Sequence, residues 1–305
     1  MRNFRRKLEA LFRRGSDRLD AVSRRDEDIV LAALATPALL AELHDPVAFV
    51  SLLRGCLGRA SCEIVDIKHE ARVVGALQAT VDRFAGLLDA LKNLPPIDPK
   101  LAVSIGRTID SHQVDRRPAP EGPGWGGDVG THFRLSSCPP TKGRMLATIA
   151  RVMRCDRGLE IGTAYGLSAM FMLTALPELH TFEGNELPSS MARTALAALY
   201  PGRAHCHCSL SHEGIPRLGL KEGSIDFFFH DGIHTAEAYR RDFDLVLPYL
   251  APGAVILFDD IRWEDPRLTK GPANTYAGWR AVADHPRVLR AIELDSVVGL
   301  ALLGD

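Results

Sequence analysis

The hydrophobic pattern of the chain changes character near residue 137. From there on, short apolar runs alternate with longer amphipathic stretches, which is typical of strands separated by helices. The predicted strands are 158–162, 179–183, 204–209, 225–230, 253–259, 287–294 and 297–303. Strands joined by helices form a mostly parallel sheet with helices on both faces. We therefore predict an α/β fold, a Rossmann-like doubly wound sheet of seven strands, over residues 137–305.

The first 114 residues have helical periodicity throughout. Helices are predicted over 27–43, 46–57 and 62–93, and the proline-rich run "KNLPPIDPK" ends the last of them. Residues 1–25 combine nine Lys and Arg residues with one apolar helical stripe. The stripe favours packing within the protein or against a second copy, and a membrane surface or an acidic partner is the alternative. We expect residues 1–114 to be an accessory helical segment that supports homo-oligomerisation.

Between these two regions lies a segment rich in glycine and proline. Residues 115–130 read "DRRPAPEGPGWGGDVG", and we predict a loop, a possible lid, over residues 115–136. Trp125 and His132 lie in it and are candidates for substrate contact. Packing is the more common role of an aromatic side chain in a loop, so both interpretations stay open.

Composition narrows the class of protein. The 305 residues carry a net charge of −1, which provides no overall field for nucleic acid, so no nucleic-acid partner is expected. No apolar run has the roughly 18–20 residues of a membrane span, and the basic N-terminus lacks the apolar core of a secretory signal. We expect a cytoplasmic location and reduced cysteines without a CxxC pair. The six cysteines are Cys56, Cys62, Cys138, Cys155, Cys206 and Cys208.

The run "HCHC" at residues 205–208 resembles a metal site at first glance. It lies in a predicted strand, where neighbouring side chains point to opposite faces. Four adjacent residues of a strand cannot all converge on one ion, so we predict a structural role for this run.

The stretch "LEIGTAYGLSAM" at residues 159–170 is an apolar strand followed by a turn with two glycines, Gly162 and Gly166, and a helical run. It lacks the G-x-G-x-x-G spacing of dinucleotide sites, because Ala164 and Leu167 stand where glycines would be needed. A phosphate loop is also excluded, because no Lys follows Gly166. Glu183, at the end of the second strand, can accept both hydroxyls of a ribose. A nucleoside without a pyrophosphate is the ligand that this pattern suggests.

Three carboxylates follow the fourth and fifth predicted strands. Asp231 ends one, and Asp259 and Asp260 end the next. The carboxyl ends of parallel strands emerge on the same side of a sheet, so these groups should converge. Like charges at close range need a cation or a proton, and oxygen ligands favour Mg²⁺, Mn²⁺ or Ca²⁺.

Four segments in order, "LEIGTAYGLSAM", "HTFEGNE", "DFFFHDGIHTAEAY" and "GAVILFDDIRW", resemble those of the class I S-adenosylmethionine-dependent methyltransferases. Within these, the chain is similar to O-methyltransferases of the catechol and caffeoyl-CoA type and to bacterial enzymes that modify sugars and natural products. The resemblance covers about residues 135–305. It implies S-adenosylmethionine as cofactor and the hydroxyl of a small molecule as acceptor. The implied cofactor-binding residues are Glu160, Gly162, Thr163, Ala164, Gly166, Ser168, Glu183, Gly184, Ser209 and Asp231, with Cys208 to Leu210 flanking the adenine.

The resemblance also implies a divalent metal, Mg²⁺ or another ion, held by Asp231, Asp259 and Asp260. The catechol type reads D-x-x-K and then D-N at these places, whereas this chain has His234 for the lysine and Asp260 for the asparagine. With an ordinary pKa near neutrality, His234 is suited to be the base. Catalytic roles are therefore expected for His234 and Asp231.

Other interpretations stay open. A metal-independent or N-directed methyltransferase would use the same cofactor, and a catalytically silent scaffold would keep the fold. A nicotinamide enzyme is disfavoured by the missing glycines. Structural roles are predicted for His230, inside the fourth strand, and packing rather than substrate contact for Tyr276 and Trp279 in "NTYAGWRAVADHP". The acceptor has no readable motif.

Overall fold

We analysed a computed structural model of the chain. It describes residues 79–304 apart from 81, 85, 88, 89, 97, 120–126, 264–273, 295 and 296. The sheet belongs to a compact unit that runs from Arg83 to Asp305. The predicted helices before residue 79, the basic segment 1–25, Trp125, Cys56 and Cys62 lie outside the described residues.

Three helices lie between residue 99 and the first strand. They are α1 (Pro99–Gln113), α2 (Val129–Ser136) and α3 (Pro140–Met153). The carboxylate of Asp98 accepts hydrogen bonds from two backbone N–H groups at the start of α1, and Asp128 accepts one at the start of α2. These caps satisfy N–H groups that a helix leaves unpaired in its first turn. Proline at the first turn of α1 and of α3 suits the helical φ and needs no N–H there.

The sheet has seven strands, as predicted. They are β1 (Arg157–Ile161), β2 (Glu178–Glu183), β3 (Ala204–Cys208), β4 (Ile225–His230), β5 (Leu250–Phe258), β6 (Val288–Leu294) and β7 (Val298–Leu303). Their order is β3-β2-β1-β4-β5-β7-β6. The first five pair in parallel, and β7 pairs antiparallel with both β5 and β6. The mostly parallel, doubly wound fold is therefore confirmed.

Helices connect the parallel strands. They are α4 (Leu167–Met172), α5 (Glu186–Leu199), the short α6 (Ser211–Gly214), α7 (Ala236–Val246) and, before the antiparallel pair, α8 (Thr275–Ala283). Two apolar clusters result, one on each face of the sheet. Successive strands are added to one side of β1 as far as β3 and to the other side from β4 onwards. Ligands of such sheets bind outside the carboxyl ends of the strands at the point where this order switches.

Two boundaries differ from the sequence prediction. The predicted loop 115–136 contains α2, because Asp128 caps a helix there, so the irregular part is shorter. Its two ends are held together by a backbone bridge between Pro118 and Asp128. Residues 1–114 were predicted as an accessory helical segment with its boundary at residue 114, and within it Leu101 and Ile105 of α1 are buried in one of the sheet's own core clusters. Helix α1 therefore packs as part of the sheet-containing unit.

Among the described residues, no helix is long and apolar enough to cross a bilayer. The four described cysteines, Cys138, Cys155, Cys206 and Cys208, are free thiols.

Candidate functional site

The glycine turn after β1 lies directly against the end of β4. A Cβ built on Gly162 would be 2.0 Å from the carbonyl oxygen of Asp231, and Gly162 has a φ of +100°. Only glycine avoids both the clash and the strain of this backbone conformation. The backbone N–H of Asp231 donates to the carbonyl of Ile161 at 2.8 Å. The turn and the first carboxylate of the predicted site are therefore one rigid junction.

Glu160 lies beneath this turn and is fully buried. Its carboxylate accepts hydrogen bonds from the hydroxyls of Ser168 and Thr181, both at 2.5 Å, and Thr181 in turn bonds to Thr163. Burial raises the pKa of Glu160 to about 7 even though both hydroxyl bonds act in the opposite direction. Both oxygens are thus occupied within the protein, so Glu160 and Ser168 hold the turn in shape from below.

Glu183 reaches the glycine turn from the end of β2. Its Oε2 accepts the backbone N–H of Ala164 at 3.0 Å, and its Oε1 accepts the backbone N–H of Asn185 at 2.9 Å. Ala164 has a φ of +43°, which is a strained value for a residue with a Cβ. Strain of this kind persists where the surroundings hold it, and it clusters at ligand sites.

Gly184, Ser209 and Leu210 form one edge of the same region. The backbone N–H of Ser209 donates to the carbonyl of Glu183 at 2.9 Å. A Cβ on Gly184 would come within 2.9 Å of the Leu210 side chain, which is 46% exposed. An exposed leucine next to a glycine offers a flat apolar surface beside Glu183.

A cluster of titratable side chains lies at the carboxyl ends of β4 and β5. Nε2 of His234 is 3.4 Å from Oδ1 of Asp231 and 3.5 Å from Oδ2 of Asp260. One ligand atom from each of the three lies within 4.8 Å of the other two. Asp260 has a φ of +48°, so the backbone turns sharply to present this carboxylate. The expectation that Asp231 and Asp260 lie close together agrees with the structure, and the imidazole of His234 is next to both carboxylates.

Asp259, which was predicted to be a metal ligand, also has a partner within the protein. Its carboxylate is 1% exposed and forms an ion pair through Oδ2 with the ammonium group of Lys142 on α3. Its Oδ1 is buried and has no hydrogen-bond partner among the described residues. Nothing in the sequence around Lys142 signals this role, because the pair depends on how α3 packs over the sheet.

Charge in this cluster is unbalanced. Three carboxylates, Asp231, Asp259 and Asp260, face two cationic side chains, Lys142 and His234. Burial raises the pKa of Asp231, and the neighbouring charge of Asp259 raises it further. The same two causes raise the pKa of Asp260. The raised carboxyl pKa values and the buried oxygen without a partner both indicate that the cluster lacks positive charge. A divalent cation fits this donor set, because it would supply that charge and it prefers carboxylate oxygens as ligands.

His234 is held between these acids. Burial acts to lower the pKa of its imidazole, but the hydrogen bond and charge of Asp231, with the charges of Asp260 and Asp259, outweigh it, so the pKa lies above its ordinary value. Its ring also lies 5.8 Å from that of Trp263.

Helix α2 forms a wall beside the glycine turn. Nδ1 of His132 is 2.7 Å from the hydroxyl of Tyr165, which lies inside the turn. The Tyr165 ring also packs edge-on against Phe133. Burial lowers the pKa of His132, and the charge of Glu183 acts against this. His132 is therefore next to the candidate cofactor region, and Tyr165 is a neighbour that the sequence did not single out.

The remaining candidates occupy packing positions. His230 is fully buried and hydrogen-bonds to Asp242 at 2.9 Å. Trp279 is 1% exposed, and a Cβ on Gly299 would come within 2.5 Å of its ring. The guanidinium of Arg262 lies 4.1 Å from the centre of the Tyr276 ring. These contacts agree with the structural roles expected for the three residues.

Residues 159–261 match the model of a family described as a methyltransferase domain. None of the curated proteins matches the chain.

Several solved structures share the fold. An O-methyltransferase from Bacillus cereus in complex with SAH is 20% identical with a TM-score of 0.51, and the match covers 72% of this chain and 97% of that one. A SAH-bound methyltransferase from Podospora anserina is 19% identical with a TM-score of 0.54, covering 74% and 96%. An O-methyltransferase involved in tomaymycin synthesis, from Streptomyces achromogenes in complex with SAM, is 20% identical with a TM-score of 0.51, covering 72% and 96%.

The matched residues run from the middle of β1 to just past Asp260, so they contain the glycine turn, Glu183 and the acidic cluster. The resemblance seen in the sequence is thereby confirmed. Residues 159–261 thus resemble a methyltransferase domain, and the sheet that contains them has the fold of these SAM- and SAH-bound methyltransferases.

Proposed function

We propose that this chain is an S-adenosylmethionine-dependent O-methyltransferase that methylates a hydroxyl group of a small molecule, such as a natural product or a sugar. The observation that carries the proposal is the grouping of Asp231, His234 and Asp260 at the strand ends beside the glycine turn. Methyl transfer to oxygen needs a group that takes up the hydroxyl proton next to the bound cofactor, and this cluster is positioned to supply it.

The cofactor would lie along the turn that follows β1. Glu183 already accepts two backbone N–H groups and still has lone pairs to accept the ribose hydroxyls. The exposed Leu210 beside Gly184 would contact the adenine. Glu160 and Ser168 act from below, since their polar atoms are bonded to each other, and they fix the backbone of Thr163, Ala164 and Gly166 against which the methionine end would rest.

Bound S-adenosylmethionine would supply the methyl group and leave as S-adenosylhomocysteine, and His234 would take up the proton of the acceptor hydroxyl. The step depends on alignment, so much of the rate comes from positioning. Asp231 and Asp260 orient the imidazole through Nε2. Lys142 neutralises Asp259 and keeps that carboxylate fixed at the end of β5.

Asp231 and Asp260, with the free Oδ1 of Asp259, are the oxygens that would hold a divalent cation. Such an ion supplies positive charge that lowers the pKa of a bound hydroxyl and favours the neutral form of a neighbouring imidazole. Carboxylate oxygens suit Mg²⁺ or Mn²⁺, and with oxygens alone as ligands His234 stays free to accept the proton.

The first experiment is calorimetric titration of the full chain with S-adenosylhomocysteine. Micromolar binding by the wild type, lost in Glu183→Ala and kept in the matched surface variant Glu213→Ala, would support the cofactor site. A folded wild-type protein that does not bind S-adenosylhomocysteine would contradict the proposal and leave the silent scaffold as the better interpretation.

The second experiment separates the two enzyme alternatives. Transfer of a labelled methyl group is measured from S-adenosylmethionine to a panel of phenols and sugars and to amines of matched shape, with and without a chelator. Transfer to hydroxyls that the chelator stops supports the proposal. Transfer to amines alone, or transfer that a chelator does not affect, supports the N-directed or the metal-independent alternative.

A further inference from the structure

A second group of metal-ligating side chains lies on another part of the sheet, in the edge strand β3 and its neighbour β2. It consists of Glu178, His180 and His205, and one ligand atom of each lies within 4.8 Å of the others. His180 and His205 are direct neighbours in the parallel register, and Glu178 lies two residues before His180 on the same face. The sheet alone therefore brings three ligands to one place.

The side chains of this group are close enough to share an ion. Oε1 of Glu178 is 3.2 Å from Nε2 of His180 and 3.5 Å from Nε2 of His205. In a tetrahedral zinc site with bonds of roughly 2.0–2.1 Å, neighbouring ligand atoms lie about 3.4 Å apart. Two of the three separations thus already have the spacing that a tetrahedral ion imposes.

The surroundings prepare the ligands for a metal. Nδ1 of His180 lies 3.2 Å from Nε2 of His207, so His180 can donate that N–H and leave Nε2 free to coordinate. Ligating histidines generally have such a partner, which fixes the tautomer and the ring. Arg157 of β1 binds Oε2 of Glu178 at 2.8 Å and leaves Oε1 to the cluster.

The cluster is also open to solvent. The side chains of Glu178, His180 and His205 are 31%, 15% and 38% exposed. An ion can therefore enter and keep water or an external ligand as a fourth partner, which is the coordination of zinc with three protein ligands.

We propose that Glu178, His180 and His205 form a second metal site, specific for Zn²⁺ or a similar transition-metal ion, with His207 as the residue that orients His180. Two imidazoles and one carboxylate favour such ions over Mg²⁺. In this site the "HCHC" run contributes alternate residues and not adjacent ones. His205 and His207 lie on one face of the sheet, whereas Cys206 packs on the other face. The ion would cross-link β3, which lies at the edge of the sheet among the described residues, to its neighbour β2.

The test is zinc stoichiometry of the full chain by equilibrium dialysis and metal analysis, with Mg²⁺ in excess. The wild type should bind one more Zn²⁺ than His205→Ala, and Glu178→Gln should lose the same ion. His212→Ala, a matched exposed histidine outside the group, should keep it, and so should Asp260→Asn, which alters only the other cluster. Zn²⁺ should raise the melting temperature of the wild type by more than that of His205→Ala.

Equal stoichiometry in the wild type and His205→Ala would overturn the proposal. Circular dichroism of each variant without metal checks the fold. If either variant does not fold, zinc-edge anomalous scattering from the wild type decides the matter. A peak between Glu178 and His205 supports the site, and scattering found only elsewhere refutes it. Neither readout depends on methyltransferase activity.

Discussion

The ammonium group of Lys142 on α3 forms an ion pair with the buried carboxylate of Asp259 at the end of β5, 117 positions further along the chain. The Lys142 side chain is 19% exposed and that of Asp259 only 1%. The nearby acids also act on the lysine: burial acts to lower its pKa, but the charges of Asp259 and Asp231 raise it above the ordinary value. The pair ties the helical layer to the acidic cluster.

We expect Lys142→Met to be strongly destabilising. It keeps the length of the side chain but leaves the Asp259 carboxylate buried without a partner, which costs about 3–5 kcal/mol of unfolding free energy. Urea unfolding measures the loss. Lys221→Met, at an exposed lysine, should change stability by less than about 0.5 kcal/mol. The double variant Lys142→Met/Asp259→Asn should recover part of the loss, and no recovery would mean that the ion pair is not the cause.

The buried Glu160 predicts a pH dependence of stability. Its folded-state pKa is raised from 4.5 to about 7 by burial, so the folded state binds its proton more tightly than the unfolded state does. The stabilisation that this provides is fully present below pH 4.5 and is lost as pH rises through about 7. The difference in unfolding free energy between wild type and Glu160→Gln should therefore fall by about 2–3 kcal/mol between pH 5 and pH 8.

Urea unfolding at both pH values tests this expectation, and Glu213→Gln serves as the control because Glu213 is exposed. A constant difference between wild type and Glu160→Gln would show that Glu160 is ionised in the folded protein throughout this range.

The sequence was sufficient for most of the fold, for a physical reason. Most strands are short, largely apolar runs with clear breaks, and all seven were located within a few residues of their observed bounds. The approach of Asp231 to Asp260 also followed from the sequence, because the carboxyl ends of adjacent parallel strands must meet.

What could not be predicted depends on packing and register. Lys142 lies on a helix whose placement over β5 has no local signal, and the proximity of His180 to His205 depends on which residues pair across β2 and β3. Helix α2 is different, because its start signal is visible in the sequence. Asp128 accepts the backbone N–H of Thr131, as an N-cap residue does, but the glycine-rich composition of the segment led to the prediction of a loop.

Leu210 should contribute to cofactor affinity without contributing to stability. It is 46% exposed beside Gly184, so Leu210→Asp removes an apolar surface and adds a repulsive charge near Glu183. We expect the affinity for S-adenosylhomocysteine, measured by calorimetry, to fall by about tenfold or more, the equivalent of about 1.4 kcal/mol. Val103→Asp, at a valine of α1 that is 54% exposed, should leave the affinity unchanged. Equal affinities in the two variants would place the adenine elsewhere.

If His234 takes up the hydroxyl proton, His234→Asn should lower kcat by about 10²–10³-fold, within the usual range for a lost general base. S-adenosylhomocysteine affinity should stay within about twofold, because His234 contacts the acids and not the glycine turn. His234→Lys should recover part of the rate, since it restores the D-x-x-K pattern of the enzymes that the chain resembles. A kcat for His234→Asn near that of the wild type would show that another group accepts the proton.

Variants of Asp260 distinguish between two roles for this residue, that of a metal ligand and that of a counter-ion of His234. Asp260→Asn keeps an oxygen ligand but removes the charge that faces His234 at 3.5 Å, whereas Asp260→Ala removes both. If Asp260 holds a divalent ion, Asp260→Asn should keep methyl transfer within about tenfold of the wild type, and Asp260→Ala should lose about a hundredfold. Excess Mn²⁺ should restore part of the activity of Asp260→Ala. If Asp260 only balances the charge of His234, the asparagine and alanine variants should lose activity equally, and added Mn²⁺ should help neither. Measured rates of transfer against Mn²⁺ concentration therefore decide between the two roles.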